Sequence, residues 1–156
     1  MANNAAAAAT PDDTVLHLTR TFDAPRDRVF RAWTDPDRLS KWWGPQTHSC
    51  PVAELDVRAG GKWRTCMLGE DGIERWVRGV YREVEAPERL VFTWAWETDG
   101  VPGDETLVTI EFRDNAGGTE MNFTQERFPT AESRDLHNVG WTSSLAGLAD
   151  YLSRED

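Results

Sequence analysis

The stretch from Ala24 to Pro45, APRDRVFRAWTDPDRLSKWWGP, constrains this chain more than any other. It reads as two short helices back to back, each opened by a proline. Pro25 and Pro36 stand where a first helical turn has no use for the missing N–H, and Asp35 or Thr34 is placed to cap the second helix. Gly44-Pro45 stops it. Val29, Phe30 and Trp33 fall on one face, as do Leu39, Trp42 and Trp43. Helices this short are not stable alone in water, so both must lie on a larger surface.

That surface is a succession of strands. Thr14 to Phe22, rich in Val, Leu and Thr, precedes the helix pair, and Val52 to Val57 follows it. Lys62 to Leu68 alternates, with Trp63, Thr65 and Met67 on one face and Lys62, Arg64 and Cys66 on the other. Gly69-Glu70-Asp71-Gly72 turns the chain into a long strand, Ile73 to Glu85, with Gly79 inside it marking a bulge or a close approach. Arg89 to Glu97 places Leu90, Phe92, Trp94 and Trp96 on one face. Glu105 to Arg113 and Thr119 to Arg127 form a last hairpin about Asn115-Ala116-Gly117-Gly118.

A helix from Pro129-Thr130 to about Leu152 closes the chain, with Glu132 favouring its N-terminal dipole. Trp141, Leu145, Leu148 and Leu152 form one stripe, and Gly140, Ser144 and Gly147 form a second stripe of small residues. Glycine in a helix interior costs about 1 kcal/mol against alanine. Either something packs very close to that stripe or space is left beside it. The expected class is therefore α+β: a curved antiparallel sheet of about six to seven strands around a long C-terminal helix, with two short helices after the first strand. Residues 1–13 read as a loose tail and 14–156 as one domain.

Composition bounds the function. The 156 residues carry 17 basic and 27 acidic side chains, a formal charge of -10, and the arginines are interleaved with acids. This argues against nucleic acid or an anionic membrane as partner. No stretch approaches the ~20 apolar residues of a membrane span. Met1 to Asp13 has no basic region and no apolar run of a signal peptide, and Cys50 and Cys66 do not make a disulfide framework. A cytoplasmic protein is expected.

The motifs resemble those of a known family. Thr21-Phe22-Asp23-Ala24-Pro25, Asp35-Pro36…Trp42-Trp43-Gly44-Pro45, Ala59-Gly60-Gly61-Lys62-Trp63 and Gly79-Val80-Tyr81-Arg82-Glu83-Val84 look like those of the domain shared by activators of Hsp90 ATPase and their bacterial relatives. Pro87 to Trp94 and Gly140-Trp141…Ser144-Leu145…Leu148 extend the likeness over Val15 to Leu152. The wider superfamily includes steroidogenic acute regulatory protein-related lipid transfer domains, the birch-pollen allergen group and polyketide cyclases. The resemblance implies a helix-grip fold, in which sheet and C-terminal helix enclose a cavity. The eukaryotic activator carries a further N-terminal chaperone-binding domain where this chain has residues 1–13, and the expectation of a chaperone role is the weaker for it.

The chemistry on offer is mainly apolar. Trp63, Met67, Phe92, Trp94, Phe112, Met121 and Phe123 from the sheet, and Trp141, Leu145 and Leu148 from the helix, are the expected cavity wall, with Trp33 and Trp42 at one end. Thr65, Gln125 and His137 are the candidate polar groups inside, of which Thr65 and His137 join the expected ligand-binding set. The same periodicity is also what a solid core needs. His17, His48 and His137 fit no nucleophile or zinc signature, and His48-x-Cys50 is not a ligand spacing, so no metal, cofactor or catalytic residue is expected. Arg64 and Arg78 would fix a carboxylate bidentately if they faced the cavity, but pairing with Glu83 or Glu111 on an exposed strand face is expected, and both cysteines are expected to be buried.

Three functions follow. The first is binding of a small hydrophobic or aromatic molecule in the cavity. The second is a co-chaperone-like module with an exposed apolar patch around Trp42, Trp43 and Trp76. The third is a cyclase- or hydrolase-type enzyme using the same cavity. Sheet edges or tryptophan-rich surfaces would admit a homodimer.

Overall fold

The computed structural model of the chain describes residues 12–154. Apart from Asp12 and Asp13, which open a 3₁₀ turn ending at Thr14, the expected tail lies outside the described residues. Strand β1 (Val15–Phe22) leads into α1 (Arg26–Thr34) and α2 (Pro36–Leu39). Asp35 rather than Thr34 caps α2, its Oδ1 accepting from Asp37 N at 2.9 Å, while the Thr34 hydroxyl donates back to Phe30 O. Pro36 takes the first turn, but the helix ends at Leu39 with Ser40 as its C-cap, before the expected stop at Gly44-Pro45. Gly44 instead turns the chain that follows, with a φ of +91° that is cheap only for a residue without Cβ.

The strands that follow are β2 (His48–Leu55), β3 (Lys62–Gly69), β4 (Glu74–Glu85), β5 (Arg89–Thr98), β6 (Val101–Pro102), β7 (Thr106–Asn115) and β8 (Gly118–Glu126). All pairings are antiparallel, in the order β1-β8-β7-β5-β4-β3-β2, with the two-residue β6 on the end of β5. Helix α3 (Ala131–Arg154) lies in the concave side of this curled sheet, a helix-grip arrangement. Its start is capped by Thr130, whose Oγ1 accepts from Ser133 N at 3.0 Å.

Other elements differ from the expected ones, and β6 is a strand where none was expected. β2 begins at His48, four residues before the expected start, because Pro51, which cannot donate to a ladder, falls where the register with β3 shifts between Ser49 and Val52. Gly79 is a close approach and not a bulge, for the β4–β5 register shifts instead between Tyr81 and Glu83. Arg64 and Arg78 also pair otherwise than expected. Arg64 Nε and Nη2 reach the Glu97 carboxylate at 2.8 and 2.9 Å, and Arg78 Nε lies 3.6 Å from it. Glu83 and Glu111 are held by Arg89. Glu97 is the nearer acid because β5 runs beside β4, and β3 beside that.

The centre is packed solid with rings. Trp33 meets Trp42 edge-on at 4.7 Å, and Trp43 touches Trp63, Trp94 and Trp141 at 6.2, 5.8 and 5.5 Å between centroids. Phe123 lies 4.6 Å from Trp141. Leu145 and Leu148 complete the packing from the second half of α3. Burial of such rings is the main stabilising term, with aromatic pairs adding about 0.5–1.5 kcal/mol each beyond area.

Candidate functional site

The sheet and α3 leave a cavity of about 450 Å³ beside the first half of the helix, open to solvent at one end. Trp43, Gly44 and Pro45 enter its wall from the segment after α2. The sheet supplies His48, Met67 and Arg75 near the β3–β4 turn, and Trp94 and Trp96 from the end of β5. The helix supplies Leu136, His137, Gly140, Trp141 and Ser144.

Of the residues expected to surround a hollow, Met67, Trp94, His137 and Trp141 are on this wall. Trp33, Trp42, Thr65, Phe112, Met121, Phe123, Leu145 and Leu148 are buried in the packed core. Trp63 and Phe92 border a void of about 10 Å³, the least that admits one water molecule, and Trp63 also edges a separate, more polar depression of about 450 Å³ beside Arg64, Arg78 and Gly79. The hollow is thus displaced toward one end. The leucines of the helix stripe all lie in the second half of α3, in one buried cluster with Phe30 and Trp33 of α1 and with Trp42 after α2.

The small-residue stripe explains both of its possibilities. A Cβ placed on Gly140 meets nothing within 4 Å, so this glycine leaves space, whereas one on Gly147 would sit 3.6 Å from Trp42 O, an ordinary packing distance. Trp43, His48, Arg75 and Trp96 were not singled out as wall residues by pattern. For Trp43 the signal was present in the aromatic run, but which end of the helix stayed empty was not.

Most polar groups around the cavity are already committed. Trp141 Nε1 donates to Gln125 Oε1 at 2.8 Å, and Gln125 Nε2 donates to Thr106 Oγ1 at 2.8 Å, so Gln125 ties helix to sheet. Trp43 Nε1 donates to Thr65 Oγ1 at 2.9 Å. Trp96 Nε1 donates to His137 Nε2 at 2.9 Å, and because Ser133 O can only accept, the proton of the imidazole sits on Nδ1, 2.8 Å from it. Burial, against a smaller opposing effect of the Ser133 hydrogen bond, lowers the pKa of His137 from the ordinary imidazole value. Both nitrogens of this ring are thereby occupied in its neutral form, and it is not free to act as a general base.

The expected exposed patch is corrected. Trp42 and Trp43 are each 4% exposed, and Trp76 lies under the Arg64 guanidinium, 4.0 Å from its ring centre. Short helices keep their tryptophans only by burying them. Burial pushes the Cys50 thiol up to about 11, with Cys66 buried beside it on β3.

Against known proteins, the family model described as "Activator of Hsp90 ATPase homolog 1-like protein" matches residues 23–153. Among solved structures, a protein from Chromobacterium violaceum is 31% identical, with 91% of this chain and 99% of that chain covered at a TM-score of 0.82. An AHSA1 protein from Silicibacter pomeroyi is 29% identical, covering 91% of this chain and 99% of that one, also at 0.82. A protein from Arthrobacter aurescens, 25% identical over 94% of this chain and 90% of its own, superposes with a TM-score of 0.84. No match to a curated protein was found. No helix among the described residues is long and apolar enough to cross a membrane.

Proposed function

Since the chain belongs to the activator of Hsp90 ATPase homolog 1-like family, we propose that it binds a small hydrophobic or aromatic molecule in the cavity beside the first half of α3. The observation that carries this reading is the pairing of that space, about 450 Å³, with a wall of Trp43, Met67, Trp94, Trp96 and Trp141. Tryptophan-lined concavities of this size bury most of a small ligand and orient it with few polar groups. Gly140 supports the reading, because a helix carries such a residue at a cost in stability and here it faces empty space.

The co-chaperone alternative has less behind it, because two of the tryptophans that would have supplied an adhesive surface are inside. A catalytic use of the cavity would need a free acid or base on the wall, and His137 is already tied on both nitrogens.

The test is titration of the full chain with 1-naphthol, read from the indole N–H resonances in two-dimensional NMR. Saturable shifts confined to Trp43, Trp94, Trp96 and Trp141, abolished in Gly140→Phe while the remaining spectrum stays folded, are expected. Shifts that survive the filling of Gly140, or none in the native chain, would remove the carrier reading.

A further inference from the structure

The wall holds one charged side chain, Arg75, in a chain whose formal charge is -10. Its guanidinium is fixed rather than waving at the rim. Nη2 donates to Asp71 Oδ2 at 3.0 Å, and Nη1 donates to His48 Nε2 at 3.2 Å and to Ile73 O at 3.3 Å. His48 is in turn held through Nδ1 by the Thr47 hydroxyl, 3.0 Å away. The group stands directly over Gly69, where a Cβ would come within 2.6 Å of Asp71 Oδ1 and 2.7 Å of Arg75 Nη1. The absence of a side chain at Gly69 is what allows the cluster to sit there.

A guanidinium offers five N–H groups. The contacts above use both hydrogens of Nη1 and one of Nη2, and leave Nε–H and the second Nη2–H without a partner among the described residues. Two neighbouring N–H groups are what a carboxylate accepts best. Asp71 is not on the wall, so it holds the guanidinium from behind without lining the space.

Elsewhere the wall has little to offer a polar atom. The indole nitrogens of Trp43, Trp96 and Trp141 and both nitrogens of His137 are spent internally. The exceptions are Trp94, whose buried Nε1–H has no hydrogen-bond partner, and Ser144 on α3, 3% exposed, whose hydroxyl makes no hydrogen bond to another described residue. A buried indole N–H left in this way is costly unless a guest satisfies it.

We infer that the ligand is an amphipathic acid, with a flat apolar body against Trp94 and Trp141, a carboxylate on Arg75, and room for one polar substituent at Ser144. This rests on the cavity reading above and narrows it to a chemical class. The Arg75 side chain is 38% exposed and Ser144 3%, so the acid group marks the solvent end of the guest and the apolar body enters first.

The experiment compares 2-naphthoic acid with 2-naphthamide, which share one body and differ in charge, by calorimetric titration at pH 7.5 and low salt. The acid is expected to bind the native chain about tenfold more tightly than the amide. In Arg75→Gln the two should become equal, with amide affinity unchanged, which also certifies that the variant's cavity is formed. Arg75→Lys, which keeps the charge but loses the fork, should retain part of the preference and guards against a Gln variant that does not fold. Equal binding of acid and amide to the native chain would overturn this inference and leave the cavity reading intact. A preference that persists in Arg75→Gln would overturn the role of Arg75. Binding of neither compound would remove the cavity reading and the inference together.

Discussion

The indole nitrogen of Trp63 on β3 donates to the carbonyl oxygen of Thr93 on β5 at 3.1 Å, passing over β4 at Gly79. A side chain thus takes a backbone acceptor two strands away, and Val80 N on β4 turns to the Thr93 hydroxyl at 2.8 Å. The three strands are locked together by a ring that belongs to the aromatic core, in contact with Trp43, Phe92 and Trp94.

Gly79→Ala is expected to destabilise the protein by roughly 2–3 kcal/mol. The added Cβ would overlap Thr93 O and stand 2.5 Å from Trp63 Nε1, and the nearest atom is backbone that cannot step aside. Urea denaturation followed by tryptophan fluorescence measures this. A midpoint equal to the native one would show that the Trp63–Thr93 bond is dispensable.

Gln125→Leu should cost about 1–3 kcal/mol even though it fills the same space with an apolar group. The indole N–H of Trp141 and the Thr106 hydroxyl would lose the amide that now bridges them, inside a residue with 0% exposure. The Trp141 indole resonance should move as well, which distinguishes loss of this bond from general loosening.

Gly140→Ala should stabilise the chain by about 0.5–1 kcal/mol, since the helix gains propensity and the new methyl meets nothing. Thermal unfolding decides it. Lower stability would mean that the space beside Gly140 is already filled in solution.

Stability should fall as pH drops below the ordinary imidazole range. In the unfolded chain His137 takes up a proton near pH 6.5, whereas in the folded chain burial holds its pKa below that value. The unfolded state therefore binds more protons as pH falls through this window, so the contribution of neutral His137 is complete above about pH 6.5 and is lost on going lower through the folded pKa. Glu97, held below the usual glutamate value of 4.5 by its hydrogen bond from Arg64, adds its loss only in more acid solution. The urea midpoint should drop between pH 7.5 and pH 5.5 in the native chain and much less in His137→Gln, whose amide oxygen can still accept from Trp96. A pH-independent native midpoint would contradict a neutral, doubly bonded His137.

Much of this architecture was legible before any coordinates. Pro25, Pro36 and Asp35 declare two helix starts, because a missing N–H and a capping carboxylate are tolerated or favoured at few positions. The alternation in β3, β7 and β8 declares which side of each strand is buried. The site was less legible. Trp33, Trp42 and Trp141 have the same pattern whether they fill a core or wall a hollow, since periodicity reports a face and not what stands opposite it.

What the chain by itself determined is the order of elements, the buried face of each, and the small-residue stripe at Gly140, Ser144 and Gly147, all of them local in sequence. Only the tertiary structure decided that the second half of α3 packs into the core cluster that holds Phe30, Trp33 and Trp42 while space is left beside the first half. It alone brought Arg75, His48 and Asp71 together over Gly69. The reason is physical: a void and a convergence of side chains are sums over elements distant in sequence, fixed by how volumes and registers add across the sheet, and no single segment carries that sum.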